Sequence, residues 1–269
     1  RELTARDYDA LIRLLNTSQS MVATASMINW ADTTLNGALL EHNELQRWQA
    51  IVAAKVERRG DNNYVEDVSY SDPSNHRRAQ AAAWSNDGTD VFADIFTTAD
   101  LLASKGYNVS RIITSRAVLS IMAGNAKVQS RVGLATIGGD GSIAMRAGRA
   151  TREAINNVLQ QDGLPPVETY DLQYRTSNST GYFLARDVVV LIGSTGANQE
   201  IDLGDSRVEL ENTLGYMAIG RAAGQPGPGR VVRVEPKENK PPRLEGEAWQ
   251  TSLPVILHPE AIGVIHTIT

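Results

Sequence analysis

The stretch DTTLNGALLEHNELQRWQAIVAAKVE, residues 32–57, is the part of the sequence from which we predict the architecture of this chain. We predict a single helix from Asp32 to Glu57, about 40 Å long at 1.5 Å per residue. Arg58-Arg59-Gly60 would end it, because cations suit the last turn and glycine suits the residue that follows. A helix of this length in a chain of 269 residues predicts an architectural beam. Its apolar side chains recur at spacings near three or four, the period of one helix face: Leu35, Leu39, Leu45, Trp48, Val52 and Val56.

The segments on both sides of this helix also carry regular patterns. Residues 4–30 predict an earlier helix, with Thr4 as its cap and Asp7 in a capping-box position. The alternating residues from Tyr64 to Tyr70 predict a strand that follows the beam. The beam is therefore predicted to lie between a helical segment and a strand.

The rest of the chain mixes helices and strands without a regular alternation. Three helices are predicted over 90–105, 115–124 and 151–161, the first two with Asp90 and Ser115 as their caps. Residues 133–148 are rich in glycine and polar residues, which predicts a loop. Strands are predicted over 111–114, 167–174, 183–192, 230–234, 248–257 and 261–268. This pattern favours the α+β class.

The composition excludes several classes of protein. The chain has no cysteine, so disulfides, thiolate metal sites and a cysteine nucleophile are excluded, and assembly in a reducing cytoplasm is expected. The net charge of −5 argues against a dedicated nucleic-acid-binding domain, which normally has a basic excess. No apolar run reaches the roughly 18 to 20 residues of a membrane span, and the first residues do not form a secretory signal.

No catalytic, cofactor or metal site is predicted. The four histidines do not share metal-ligand spacing: His42, His76, His258 and His266. The glycine-rich segment Gly138–Ser142 lacks the strand before it and the Gly-Lys-Ser/Thr ending of a phosphate-binding loop, so we interpret it as a surface loop. The acidic residues Asp202, Asp205, Glu209 and Glu211 could bind a hard cation, but a solvated face is the preferred interpretation. The breaker Gln225–Gly229 is interpreted as a hinge.

Two groups of motifs resemble the major capsid proteins of tailed bacteriophages, which have the Hong Kong 97 fold. In the middle of the chain, Ala83-Trp84-Ser85 precedes the helix start Thr89–Ile95, and then follow Lys105-Gly106-Tyr107, the strand 111–114 and the next helix with Asn125. At the end, Lys240–Leu244, Leu253–Ile256 and His258–Ala261 lead into a last β run, in the order of the closing segment of that family. The resemblance covers roughly residues 33–269.

The resemblance implies a fold with a spine helix, a peripheral β-sheet domain and an inserted axial domain. It implies an N-terminal helical arm over 1–31, a peripheral domain with spine and β-hairpin over 32–87, an axial domain over 88–225 and a return to the peripheral domain over 226–269. The family has an extended arm and a long E-loop ahead of the spine, whereas the residues before this spine predict helix. We therefore expect that those parts lie upstream of Arg1 or that this subunit contacts its neighbours differently.

The resemblance implies a structural protein without enzymatic activity that self-assembles into the icosahedral shell of a virion. The expected partners are other copies of the chain in pentamers and hexamers, portal, scaffold and decoration proteins, and packaged DNA bound without sequence specificity, with assembly in the host cytoplasm. An encapsulin-type nanocompartment shell protein is the alternative within the same fold. From other classes, a nucleotide-handling enzyme that uses Gly138–Ser142 and a small binding module remain open.

Overall fold

A computed structural model of the chain describes residues 9, 13, 20–59, 65–79, 82–132, 135–137, 143–145, 149–175, 180–194, 198–202, 207–211, 214–237 and 243–267. The chain divides into two compact units. The first comprises Arg1–Arg47 and Met217–Val255, and the second comprises Trp48–Tyr216 and Ile256–Thr269. The division into arm, peripheral and axial domains stays a prediction.

The predicted beam is part of a longer helical run that begins earlier and ends earlier than the sequence suggested. Helix α1 (Ser20–Trp30) continues through a π-helical segment (Ala31–Asn36) into helix α2 (Gly37–Ala53). Asp32 therefore begins no helix, because the hydrogen-bonding pattern runs through it without a break. The upstream part of the helix predicted over 4–30 lies largely outside the described residues.

The predicted end of the beam at Arg58-Arg59-Gly60 is wrong. The helix stops at Ala53, and strand β1 (Lys55–Arg59) follows at once. Ala54 makes the reversal with a positive φ of 49°, a conformation that the sequence rule assigns to glycine. Strand β2 (Val65–Ser69) pairs with β1 in antiparallel register, which confirms the strand predicted around Val68.

The second unit is built on a five-stranded mixed sheet. Its strand order is β3-β16-β10-β4-β7, with the central β10 antiparallel to both neighbours and the two outer strands added in parallel. The bounds of these strands are Arg77–Ala79 for β3, Asn108–Thr114 for β4, Val167–Thr169 for β7, Val188–Ser194 for β10 and Ile262–His266 for β16. Both faces of β10 are buried, which explains its continuous apolar sequence.

Four of the described α-helices lie wholly in this unit and form its core with the sheet. They are α3 (Val91–Ser104), α4 (Arg116–Gly124), α5 (Ala126–Arg131) and α6 (Arg152–Gln161). The predicted caps Asp90 and Ser115 are confirmed, since both accept hydrogen bonds from the backbone of the first turns, and Thr151 caps α6 in the same way. Helix α3 approaches the sheet closely at Gly263, where a Cβ atom would lie 2.6 Å from Cγ2 of Thr98. The residues with no exposed surface in this core include Trp84, Phe92, Ile95, Leu102, Ile112, Val118, Ile155, Leu159 and Leu191.

The first unit packs α1, the π-helical segment and the first part of α2 on a three-stranded sheet. The sheet has the order β13-β15-β14, with bounds Gly215–Gly220, Arg243–Ile256 and Arg230–Lys237. Helix and sheet approach most closely at Gly246 of β15, where a Cβ atom would lie 2.7 Å from both Trp30 Cη2 and Leu35 Cδ1. Only glycine leaves room for both side chains at this position.

Three further hairpins change details of the predicted pattern. Within the predicted loop 133–148, β5 (Ala135–Ile137) pairs with β6 (Ile143–Met145), because alternating apolar residues flank the glycines. The strand predicted over 183–192 is shorter, since β9 (Thr180–Tyr182) pairs with β8 (Gln173–Arg175) before β10 begins at Val188. The acidic segment forms a hairpin that the sequence did not predict, β11 (Asn198–Asp202) with β12 (Arg207–Glu211). The mixed helix and sheet content agrees with the predicted α+β class.

Candidate functional site

His42, His76 and His258 each contact a different residue. The Nδ1 atom of the buried His76 lies 2.9 Å from the Ile262 oxygen, while its Nε2 atom finds no partner among the described residues. The Nδ1 atom of His258 lies 3.0 Å from the hydroxyl of Tyr107. On α2, His42 contacts Gln46 at 3.1 Å. These contacts join parts of the fold and bring no two histidines together.

Within the described part of the chain, the segments that the sequence suggested as possible metal or phosphate sites do not form such a site. No three His, Asp or Glu side chains there are grouped so that they could hold a metal ion. Gly138–Ser142 and Asp205 lie outside the described residues. In the acidic hairpin, Glu209 stands opposite Glu200 and Asp202 stands opposite Arg207 in the backbone register. The absence of catalytic, cofactor and metal sites stays a prediction.

A buried polar network fixes α2 against β15 in the first unit. Asn43, Gln46 and Ser252 are at most 6% exposed. The Ser252 hydroxyl donates to Asn43 Oδ1 at 2.9 Å, and the Gln250 amide donates to the same oxygen and to Ser252. Because buried polar groups lose free energy when they are unpaired, this network specifies one register between helix and strand. The network thereby joins α2 to β15 within the first unit.

The first unit is also where large apolar side chains reach the surface. Six of the eight large hydrophobic residues that are exposed in the described ranges belong to it. Met21, Ile28 and Val22 on α1 are 85%, 65% and 52% exposed, and the others in this unit are Leu40, Ile219 and Val232. Single exposed apolar residues are normal, whereas a group on one element marks an interaction surface. We use the name α1 stripe for four exposed apolar side chains of α1: Met21, Val22, Ala25 and Ile28.

The sequence contained a signal for this surface that composition alone did not reveal. From Leu14 to Ala31 there is no charged residue, although charged residues make up 21% of the chain. A helix exposed to water normally carries charges on its outer face. This stretch contains no residue of the types that form catalytic or metal-binding motifs, so such motifs do not indicate it.

One edge of the five-stranded sheet is closed by side chains of α6. Asn156 accepts a hydrogen bond from the Val167 amide at 2.9 Å, and Arg152 donates to the Val167 oxygen at 2.6 Å. These contacts occupy the backbone N–H and C=O groups of Val167 on the edge strand β7. Side chains that cover an edge in this way prevent uncontrolled strand addition. This edge is therefore not the surface we associate with function.

Ion pairs reinforce the same edge. Arg111 donates to Glu168 twice, with Nη2–Oε2 at 2.5 Å and Nε–Oε1 at 3.2 Å. The hydrogen bond from Arg111 lowers the pKa of the Glu168 carboxyl and raises the pKa of Arg111. Both side chains are about half exposed, so water screens the pair and its contribution to stability is small.

The sequence and the fold are similar to those of known phage proteins. The family model of phage major capsid protein E matches residues 13–263. A prophage protein of E. coli CFT073 that is described as a capsid protein has a similar fold, with a TM-score of 0.52 and 16% identity over 86% of this chain. The chain spans 64% of that protein's length. A phage-related protein from Bordetella bronchiseptica RB50 matches with a TM-score of 0.43, 18% identity, and 73% and 56% of the two chains covered.

No curated protein matches the sequence. Within the described ranges, no helix combines the length and the apolar character that crossing a membrane requires.

Proposed function

The chain belongs to the phage major capsid protein E family, and from this premise we propose that its copies close into an icosahedral shell of pentamers and hexamers around double-stranded DNA. As a member of this family it is a structural, shell-forming protein of the virion. The observation that carries the proposal is the extent of the match, because residues 13–263 include nearly all of both compact units. Pentamers, hexamers and the enclosed DNA are the part that we propose.

The proposed architecture is that of the Hong Kong 97 fold. The helical run from Ser20 to Ala53 would be the spine, and the β1–β2 hairpin follows it directly. We propose a peripheral domain over 32–87 and 226–269 and an axial domain over 88–225. The similar fold of the E. coli prophage protein supports this assignment. An encapsulin-type shell is not favoured, because the matching family is one of phage capsid proteins.

The surface of the first unit suits a subunit of a large assembly. It exposes apolar side chains, and a buried hydrogen-bond network around Asn43 joins its helix α2 to β15. In a closed shell each subunit contacts several neighbours, so contacts of modest strength add up to a stable particle. The pairs within a ring are heterologous, which means that two different patches of the same chain meet.

The charge of the chain suits a container for DNA. A net charge of −5 does not favour tight non-specific binding of phosphates. Packaged DNA would then remain free to enter and to leave. We propose portal, scaffold and decoration proteins as further partners, and assembly in the host cytoplasm.

Particle formation tests this function. The purified full chain is studied by sedimentation velocity and negative-stain electron microscopy over a range of salt and protein concentrations. We expect spherical particles or hexamer sheets, in equilibrium with small oligomers. A folded chain, as shown by circular dichroism, that stays a small monodisperse species under all conditions would contradict the proposal.

A further inference from the structure

The α1 stripe has the spacing of a helix face that packs against another element. Met21, Ala25 and Ile28 stand at positions i, i+4 and i+7 and thus lie one above the other on the helix surface. Met21 and Ile28 are 85% and 65% exposed, and Val22 beside them is 52% exposed. The described part of the chain therefore leaves this face uncovered.

The opposite side of α1 faces its own sheet. Trp30 follows Met21 by nine residues, which places it about 180° away around a helix of 3.6 residues per turn. Trp30 is half-buried and approaches Gly246 of β15. The helix thus has one side against its own chain and one apolar side directed away from it.

The α1 stripe is unusual for a surface that stays in water. It lies in the charge-free stretch from Leu14 to Ala31, and its exposed polar neighbours on α1 are Thr24, Ser26 and Asn29. Charged side chains that would keep an exposed helix solvated are missing on every side. An uncharged apolar surface of this kind gains free energy when a partner removes it from water.

We propose that the α1 stripe docks on a second copy of this chain, so that α1 becomes buried between two subunits. The argument rests on the proposed function, because in a shell of identical subunits every α1 has neighbouring copies of the same chain, which carry the same apolar surfaces. The lack of charge fits this occupant, since a charged partner surface would lose its hydration against α1 without gaining a counter-charge.

The absence of cysteine from the sequence allows a direct test. Met21→Cys introduces a single thiol at the most exposed position of the stripe, and Gln161→Cys on the exposed end of α6 is the matched control. Reaction with a maleimide is timed in assembled particles and in unassembled subunits separated from the same preparation. We expect Cys at position 21 to react at least about tenfold more slowly in particles than in subunits, because the centre of an interface excludes water.

A second set of variants measures the contribution to assembly. Ile28→Glu places a charge in the stripe and is expected to abolish particles, whereas Ile28→Leu and the surface control Gln161→Glu should assemble. Circular dichroism and thermal unfolding establish that the Ile28→Glu subunit is folded. If it is unfolded, the maleimide experiment alone decides.

Each other outcome would overturn the inference in a distinguishable way. Equal reactivity in particles and in subunits means that α1 is not at a contact between copies, while the shell function stands. Slow reaction already in subunits means that the chain's own residues cover the stripe. Failure of the unmodified chain to form particles contradicts the proposed function itself, and the inference fails with it.

Discussion

The Nη2 atom of Arg77 donates a hydrogen bond to the backbone oxygen of Ile51 at 2.9 Å, across 26 positions of sequence. Its Nε atom donates to the Val52 oxygen at 3.1 Å, and its Nη1 atom pairs with Asp72. The last carbonyl groups of a helix have no partner inside the helix and carry partial negative charge. Arg77 thus completes the end of α2 and fixes the point where the chain turns into β1.

Replacement of Arg77 by lysine should weaken the fold. Lysine keeps the charge but has one compact ammonium group, which does not reach two carbonyls and a carboxylate together. We expect the free energy of unfolding to fall by about 1 to 3 kcal/mol, the range for buried groups that lose a charged partner. Denaturant unfolding measures it, with Arg47→Lys in the exposed pair with Glu44 as the control. Equal stability of both variants would contradict the capping role.

Substitution by glycine should affect the stability of the fold differently at Ala54 and at its neighbour Ala53. Its φ of 49° is strained for a residue with a Cβ atom, at a cost of about 1 to 2 kcal/mol. Ala54→Gly removes the strain and a small buried methyl group, so we expect unchanged or higher stability, whereas Ala54→Val should be strongly destabilising. Ala53→Gly, in the last helical turn, should lower stability by up to about 1 kcal/mol. Thermal unfolding compares the three variants, and a loss in Ala54→Gly as large as in Ala53→Gly would contradict this assignment.

The Trp84 indole nitrogen donates to Asp94 Oδ2 at 2.8 Å, and the amide of asparagine can accept the same bond. We therefore expect Asp94→Asn to stay near the stability of the unmodified chain, while Asp94→Ala should lose about 1 to 3 kcal/mol because the buried N–H is left unpaired. Trp84 has no exposed surface, so water does not replace the lost acceptor. A similar loss in both variants would contradict the role of this hydrogen bond.

The direction in which pH changes the stability of Asp94→Asn relative to the unmodified chain follows from the pKa of Asp94. Burial raises the pKa of Asp94 above its ordinary value of 3.8, against the opposing hydrogen bond from Trp84. The ionised carboxyl is therefore destabilising at pH above the folded pKa, and this cost disappears as the pH falls below 3.8. The stability of Asp94→Asn relative to the unmodified chain should be highest near neutral pH and decline in acid, as measured by denaturant unfolding at several pH values.

Glu168 should show the opposite pH dependence. The hydrogen bond from Arg111 lowers its pKa below the ordinary value of 4.5, so its stabilising effect is complete above 4.5 and is lost as the pH falls through the folded pKa. The pair is exposed, so the effect should stay under about 1 kcal/mol. Glu168→Gln should therefore be slightly less stable than the unmodified chain at pH 7 and equally stable in acid. Parallel pH profiles of the two proteins would contradict the assignment.

Gly246 should tolerate no side chain. A Cβ atom there would lie 2.7 Å from both Trp30 and Leu35, so Gly246→Val must displace the helix from β15. Gly227→Ala is the control, because a Cβ atom at Gly227 has no neighbour within 4 Å. We expect Gly246→Val to lower the unfolding temperature by several degrees and Gly227→Ala to leave it nearly unchanged. Equal thermal unfolding of both variants would show that the close approach is not needed.

Much of the second unit could be predicted from local patterns. Asp90 and Ser115 are predicted as helix caps, and their side chains accept the expected bonds. These predictions succeeded because a cap depends on residues within one turn of the chain. The hairpin of β11 and β12 was missed, because its polar alternation resembles that of a solvated loop.

The sequence by itself determined the local elements and the family, since caps, apolar periods and the order of motifs are written along the chain. The tertiary structure decided where the beam ends and which face of α1 stays exposed. Both depend on residues far apart in sequence. Arg77 binds the end of α2 at Ile51, and Gly246 of β15 leaves room for Trp30, so that Met21 on the opposite side of α1 is exposed. The physical reason is that helical periodicity identifies an apolar face, whereas only distant contacts determine whether the same chain covers it.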